Sequence, residues 1–342
     1  MTRVLIAEDS PTVRELLVEI LGSDPDLQVI GQAKNGVEAV ALTQKLKPDV
    51  VTMDIQMPLM DGLQATQEIM ATTPTPIVIV TASYEHRAVE ISLETMRAGA
   101  LTAVQKPQGV AAPDFEEKAR QLITTVKNMA QVKVVRRWRP TQPTPAPPPR
   151  PGPRKMRGRI VAIATSTGGP AALHQVLAQL PARFPVPILV VQHICQGFTA
   201  GLAAWLSSVC PFPVKVAEEG ELLTAPKVYL GPDDRHLGVT ARNTITLSSV
   251  PAVGGFRPSG TTLFESVARV FGSSTVAVIM TGMGEDGVAG LKAVRQAGGY
   301  IIAQDEKSSV VFGMPGAAVA AGLPDQVLPL DGIAPRLLEL VS

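Results

Sequence analysis

The sequence predicts two α/β units with open, mostly parallel sheets, joined by an extended proline-rich connector. In each half, apolar runs of strand length alternate with amphipathic stretches of helix length, the pattern of βα units. That alternation breaks once, where residues 140–150 read PTQPTPAPPPR. So many prolines remove the N–H donors that helix or sheet requires and favour an extended, semi-rigid chain. A length of 342 residues makes two domains the natural expectation. The boundaries fall at 1–132 and 158–342, with 133–157 as linker.

In the first unit, Val4–Ala7, Gln28–Gly31, Val50–Met53, Ile77–Val80 and Leu101–Val104 read as strands. Helices are predicted to begin near Pro11, Asn35, Gly62, Glu85 and Asp114. Five such units predict a parallel sheet with helices on both faces. In the second unit the strand candidates are Arg159–Ala164, Ile188–Gln192, Val228–Leu230, Thr275–Met280 and Tyr300–Ala303. Helices are expected over Pro170–Leu180, Phe198–Ser208, Gly260–Phe271 and Asp286–Gln296, and a hairpin over Gly238–Leu247.

A net charge of +1 gives no global reason to expect nucleic acid or anionic lipid as partner. The arginines at 136, 137, 139, 154, 157 and 159 and Lys155 flank the proline run and fit a solvated linker, although such a cluster also suits an acidic protein or RNA. The start of the chain has no signal-peptide pattern, and the longest apolar runs are strand-sized, so the expected compartment is the cytosol. Two cysteines, Cys195 and Cys210, exclude a disulfide framework or a multi-cysteine metal site.

Ligand sites in open parallel sheets gather at the carboxyl ends of the strands. In the first unit those ends carry Glu8 and Asp9, Asp54, Thr81 and Lys106. Three converging carboxylates need a cation, and Mg²⁺, a hard ion with oxygen ligands, suits them. Asp54 would then accept a phosphoryl group, with Lys106 neutralising its oxygens and Thr81 hydrogen-bonding the product. Any one of these acids alone would read as a loop residue or helix cap; their placement on successive strands argues otherwise. With Asp-x-x-Met-Pro-x-Met-Asp-Gly at 54–62 and Lys-Pro at 106–107, the unit resembles bacterial response-regulator receivers, which implies a flavodoxin-like fold. The resemblance also implies phosphorylation of Asp54 from a histidine kinase, with Mg²⁺ on Glu8, Asp9, Asp54 and the Gln56 carbonyl. Ala103 stands where receivers commonly carry the aromatic half of a switch pair.

In the second unit, the first strand runs into Thr165-Ser166-Thr167-Gly168-Gly169-Pro170 and then a helix. A tight strand-to-helix turn can expose a serine hydroxyl beside amides that stabilise an oxyanion. A helix cap at Ser166 or Thr167 is an equally good local reading, and a phosphate cradle a poorer one, because neither G-x-G-x-x-G nor a Walker sequence is present. His193, one of only four histidines, ends the next strand, and Asp286 follows a later one. An imidazole there can take a serine proton, and a carboxylate can fix its tautomer, although Asp286 is also a natural helix cap. Cys195 reads as a small apolar residue rather than a nucleophile.

The segments at 166–169, Gln192-His193, Thr281–Gly287 (TGMGEDG) and Gln304–Pro315 (QDEKSSVVFGMP) resemble the chemotaxis protein-glutamate methylesterases of the CheB family. The resemblance implies a doubly wound catalytic domain with Ser166 as nucleophile, His193 as base and Asp286 as its orienting carboxylate. It implies hydrolysis of glutamate methyl esters on methyl-accepting chemotaxis receptors, releasing methanol, with glutamine deamidation in addition. Oxyanion and substrate contacts are expected from Thr167, Gly168, Gly282, Met283 and Arg257. No cofactor is expected for the ester step, and neither nucleic acid nor membrane insertion. Ala164 replaces a glycine usual in the family, and its methyl is expected to narrow the pocket. A non-enzymatic regulator whose second unit binds protein is the competing class, separated by an ester-turnover assay.

Overall fold

The computed structural model describes residues 1–81, 91, 92, 94–96, 98–107, 109, 112, 114–132, 134 and 158–342. The proline run, Trp138, His86 and the predicted helix start at Glu85 lie outside the described residues. The chain divides into two compact units, Met1–Thr141 and Gln142–Ser342.

The first unit contains β1 (Thr2–Ala7), β2 (Leu27–Ala33), β3 (Val50–Met53), β4 (Ile77–Thr81) and β5 (Thr102–Gln105). They form a parallel sheet in the order β2-β1-β3-β4-β5, so the order reverses beside β1. Val4, Leu5, Ile6, Val50, Val51 and Ile77–Ile79 are fully buried, as expected of central strands covered on both faces. Helices span Pro11–Gly22, Gly36–Leu46, Gly62–Thr72 and Phe115–Met129. Ser10 and Asn35 cap the first two, and Asp61 with Gln64 forms a reciprocal capping box on the third.

The second unit holds β6 (Ile160–Thr165), β7 (Ile188–Gln192), β8 (Val214–Val216), β9 (Val228–Leu230), β12 (Thr275–Ile279), β13 (Tyr300–Gln304) and β14 (Gln326–Leu328). All pair in parallel in the order β14-β13-β12-β6-β7-β9-β8. The predicted hairpin is β10 (His236–Val239) antiparallel to β11 (Ile245–Ser248). Ile160, Ala162 and Ala164 on β6 pack with Leu263, Phe264 and Val267 of helix Gly260–Phe271, the centre of the core on that face. Other helices span Gly169–Leu177, Thr199–Val209, Val288–Gln296, Met314–Ala320 and Leu330–Val341. The short edge strands β8 and β14 and the last two helices were not foreseen. Both strands are three residues long and interrupted or led by a polar residue, Lys215 in one and Gln326 in the other, whereas the equally short but wholly apolar Val228–Leu230 was legible. Among the described residues, no helix is long and apolar enough to cross a membrane.

Candidate functional site

In the first unit the carboxyl ends of β1, β3 and β5 bring one acidic cluster together. Carboxylate oxygens of Glu8, Asp9 and Asp54 lie within 4.8 Å of one another. Lys106 Nζ bridges two of them, 2.8 Å from Glu8 Oε2 and 2.9 Å from Asp54 Oδ2. Asp54 Oδ1 accepts the Ile55 amide at 2.7 Å. Glu8, Asp54 and Lys106 are buried, whereas Asp9 is exposed. Burial, followed by the Asp54 charge, holds the Glu8 carboxyl above its ordinary range, and burial does the same to Asp54 against the pull of Lys106. Burial would lower Lys106, but the Asp54 and Glu8 charges outweigh it and raise the ammonium. Thr81, buried at the end of β4, gives its carbonyl to the Lys106 amide at 2.8 Å, which locks the two strand ends together. Gln56 is exposed two residues after Asp54. Three oxygen donors facing a single ammonium leave excess negative charge, a donor set that fits a hard divalent cation.

In the second unit three adjacent strands converge. β6 delivers Ser166, its neighbour β7 delivers His193, and its other neighbour β12 leads into the loop with Asp286. His193 Nε2 lies 2.8 Å from Asp286 Oδ2. A carboxylate of low pKa only accepts, so in the neutral imidazole Nε2 carries the proton and Nδ1 the lone pair. His193 Nδ1 is buried without a hydrogen-bond partner. Asp286 is held by more than histidine: Oδ2 also accepts the Gly260 amide at 2.6 Å, and Oδ1 accepts Ser259 Oγ at 2.7 Å and the Thr261 amide at 3.2 Å. Burial alone would raise this carboxyl, but the His193 and Ser259 bonds, the His193 charge and the Gly260 amide together bring it down to about 2.

The nucleophile loop is clamped by Thr281. Its carbonyl accepts the Ser166 amide at 3.0 Å and Thr165 Oγ1 at 2.9 Å. Its hydroxyl donates to the Thr167 carbonyl at 2.8 Å and accepts the Val311 amide at 3.0 Å. Gln304 Oε1 fixes the Thr281 amide at 2.8 Å, and Gln192 Nε2 donates to the Ser166 and His193 carbonyls, each at 2.8 Å. Gly168 starts the following helix at φ +77°, a conformation that side chains rarely tolerate.

The remaining expected contacts divide. The amides of Thr167, Gly168 and Met283 have no hydrogen bond within the described residues and stay available to a ligand. The Gly282 amide is already donated to the Val311 carbonyl at 3.0 Å, which removes it as an oxyanion donor. Arg257 is likewise committed: Nε donates to Asp234 Oδ1 at 2.8 Å, and Nη1 to the Ser249 and Val250 carbonyls at 3.2 and 3.3 Å. The Ala164 methyl lies in the core against Gly260 rather than narrowing the cleft. The burial of Ser259 and the flat stack of Phe256 on His193 were not foreseen, although both residues lie within two positions of Arg257.

An acidic pocket at the switch point of one α/β unit and a serine, histidine and aspartate at the mouth of another define the class: a response regulator with a hydrolase-like output unit. The family model for the response regulator receiver domain matches residues 4–112, and that for CheB methylesterase matches residues 161–337. Protein-glutamate methylesterase/protein-glutamine glutaminase 4 of Myxococcus xanthus (strain DK1622) is 56% identical over 339 residues, covering 98% of this chain and 96% of that one. Protein-glutamate methylesterase/protein-glutamine glutaminase 3 of Anaeromyxobacter dehalogenans (strain 2CP-C) is 54% identical over 98% of each chain. The crystal structure of the Thermotoga maritima CheB methylesterase catalytic domain superposes with a TM-score of 0.53 at 43% identity, covering 54% of this chain and 99% of that one. The chain belongs to the CheB methylesterase family.

Proposed function

We propose that the chain hydrolyses glutamate methyl esters on chemotaxis receptors, with Ser166 as nucleophile, and that phosphorylation of Asp54 by a histidine kinase regulates it. The observation that carries the reading is the bond between His193 Nε2 and Asp286, which assigns the proton of the neutral ring to Nε2 and leaves Nδ1 unpartnered at the mouth of the strand beside that of Ser166. The Ser166 hydroxyl attacks the ester carbonyl while His193 Nδ1 takes its proton. The imidazolium so formed rests against the ionised Asp286. The uncommitted amides at Thr167, Gly168 and Met283 are the donors this reading assigns to the oxyanion, each contributing about 3–4 kcal/mol when well aimed. His193 returns the proton to the leaving methoxide as methanol, then activates water to release the glutamate carboxylate and free Ser166. The same acyl intermediate forms from a glutamine side chain with ammonia leaving, in line with the second activity in the relatives' names.

On the receiver, Asp54 is the phosphoryl acceptor. Glu8, Asp9 and Asp54, with the Gln56 carbonyl, would hold Mg²⁺, which when bound neutralises charge on the transferring group. Lys106 shields the phosphoryl oxygens and Thr81 hydrogen-bonds the product, while the esterase step needs no metal. The function places the protein in the cytoplasm, with neither nucleic acid nor membrane insertion, and its working units are 1–132 and 158–342 joined by a linker at 133–157. The test is methanol release from methylated receptor membranes, with and without acetyl phosphate and Mg²⁺. Wild type turns over and is stimulated; full activity in Ser166→Ala would remove the catalytic assignment.

A further inference from the structure

Among the described residues the His193 ring makes a single hydrogen bond, at Nε2, and a ring so held can still swing about its Cβ–Cγ bond. A second contact stops that motion. The Phe256 ring lies flat on the imidazole, centroids 4.0 Å apart and planes within 6°. A face-on stack covers the ring and leaves its in-plane edges open, so it does not compete with Asp286 or obstruct Nδ1.

The Phe256 ring is delivered by a purpose-shaped turn. Val253 and Phe256 exchange two backbone hydrogen bonds, of 3.1 and 3.0 Å, across Gly254 at φ +61° and Gly255 at φ +86°. Two successive left-handed positions define a tight hairpin tip that glycine fills without strain. The turn is braced on both sides. Arg257 ties it to Asp234 and to the Ser249 and Val250 carbonyls. His236, 1% exposed, sets Nε2 3.2 Å from the Pro251 carbonyl, which can only accept.

We propose that Phe256 is a positioning residue for His193: a braced aromatic platform that holds the imidazole plane in register with Asp286 and whose π face favours the imidazolium formed as the Ser166 proton leaves. Arg257, Asp234 and His236 serve the reaction through this platform. The proposal rests on the reading of Ser166, His193 and Asp286 as the reacting set.

The test uses the full chain and two readouts: methanol release from methylated receptor membranes, and the rate of Ser166 labelling by a fluorophosphonate. Phe256→Leu keeps apolar bulk but removes the flat face; kcat and labelling rate are expected to fall together by about 3- to 10-fold, with KM little changed. Phe256→Tyr restores both rates. Arg257→Gln, which leaves the ring but loosens its brace, lowers them in the same direction by a smaller factor. Wild-type rates in Phe256→Leu, an effect confined to KM, or a tyrosine variant as slow as the leucine one overturns the platform. If Phe256→Leu does not fold, unchanged labelling of Arg257→Gln overturns it instead. Turnover or labelling that survives in Ser166→Ala sinks the triad reading itself, a separate failure.

Discussion

The exchange Asp286→Asn isolates what a negative charge contributes at the far side of His193. Both carboxylate oxygens are surrounded by donors: His193 Nε2 and the Gly260 amide on one, Ser259 Oγ and the Thr261 amide on the other. An asparagine must turn its NH₂ toward one pair. The less costly choice is the Ser259 side, because a hydroxyl can reverse to accept, which leaves the 3.2 Å Thr261 contact unmade. In that orientation His193 keeps its tautomer, and the loss is electrostatic. A unit charge 2.8 Å from the developing imidazolium is worth about 4–6 kcal/mol at an effective dielectric of ~20, so kcat should fall by about 10³- to 10⁴-fold. Stability responds as well. Lowering the carboxyl from 3.8 to about 2 on folding corresponds to roughly 2.5 kcal/mol. Because the folded value is depressed, that contribution is complete above about pH 4 and is lost as pH falls through about 2. Methanol release gives the first number, and urea unfolding between pH 5 and 2 gives the second as a shallower acid slope in the variant. A variant keeping more than a tenth of wild-type kcat would refute the argument that the carboxylate serves the imidazolium.

Thr281→Val removes a buried hydroxyl that joins the Thr167 carbonyl to the Val311 amide, and should cost about 2–3 kcal/mol in unfolding experiments while lowering kcat; Thr281→Ser should recover both. Asp9→Asn deletes the exposed member of the acidic trio without disturbing the Lys106 bridge, and should weaken Mn²⁺ binding to the receiver, followed by its paramagnetic signal, by at least about tenfold. In Asp54→Asn, stimulation of methanol release by acetyl phosphate and Mg²⁺ should vanish while the unstimulated rate persists.

Where a strand is mostly apolar and runs into an acid, a serine or a histidine, the sequence already shows the site's position. β1, β3, β6 and β7 are legible in this way, and so are Glu8, Asp54, Ser166 and His193. The supports were not. Thr281, Gln304 and Ser259 act through hydrogen bonds to residues far away in the chain, and a lone threonine, glutamine or serine carries no periodic signal. Gly282 and Arg257 show the converse limit. Residue type suggested free donors, and only the tertiary structure revealed that each was already engaged. Likewise Ala164 sits next to the nucleophile loop, yet strand alternation turns its methyl into the core.

The Thr281 clamp has a consequence for the newborn chain. Its carbonyl grips Thr165 across 116 residues of sequence, and the Asp286 that steadies His193 lies 93 residues beyond it. Ser166 and His193 therefore leave the ribosome long before the parts that hold and charge them. A polypeptide that stalls, or is cut, anywhere before Thr281 carries a serine and an imidazole but no assembled esterase. Hydrolytic competence arrives late in synthesis, when β12 slots in beside β6. Fragments of this protein should be inert toward the cell's other esters.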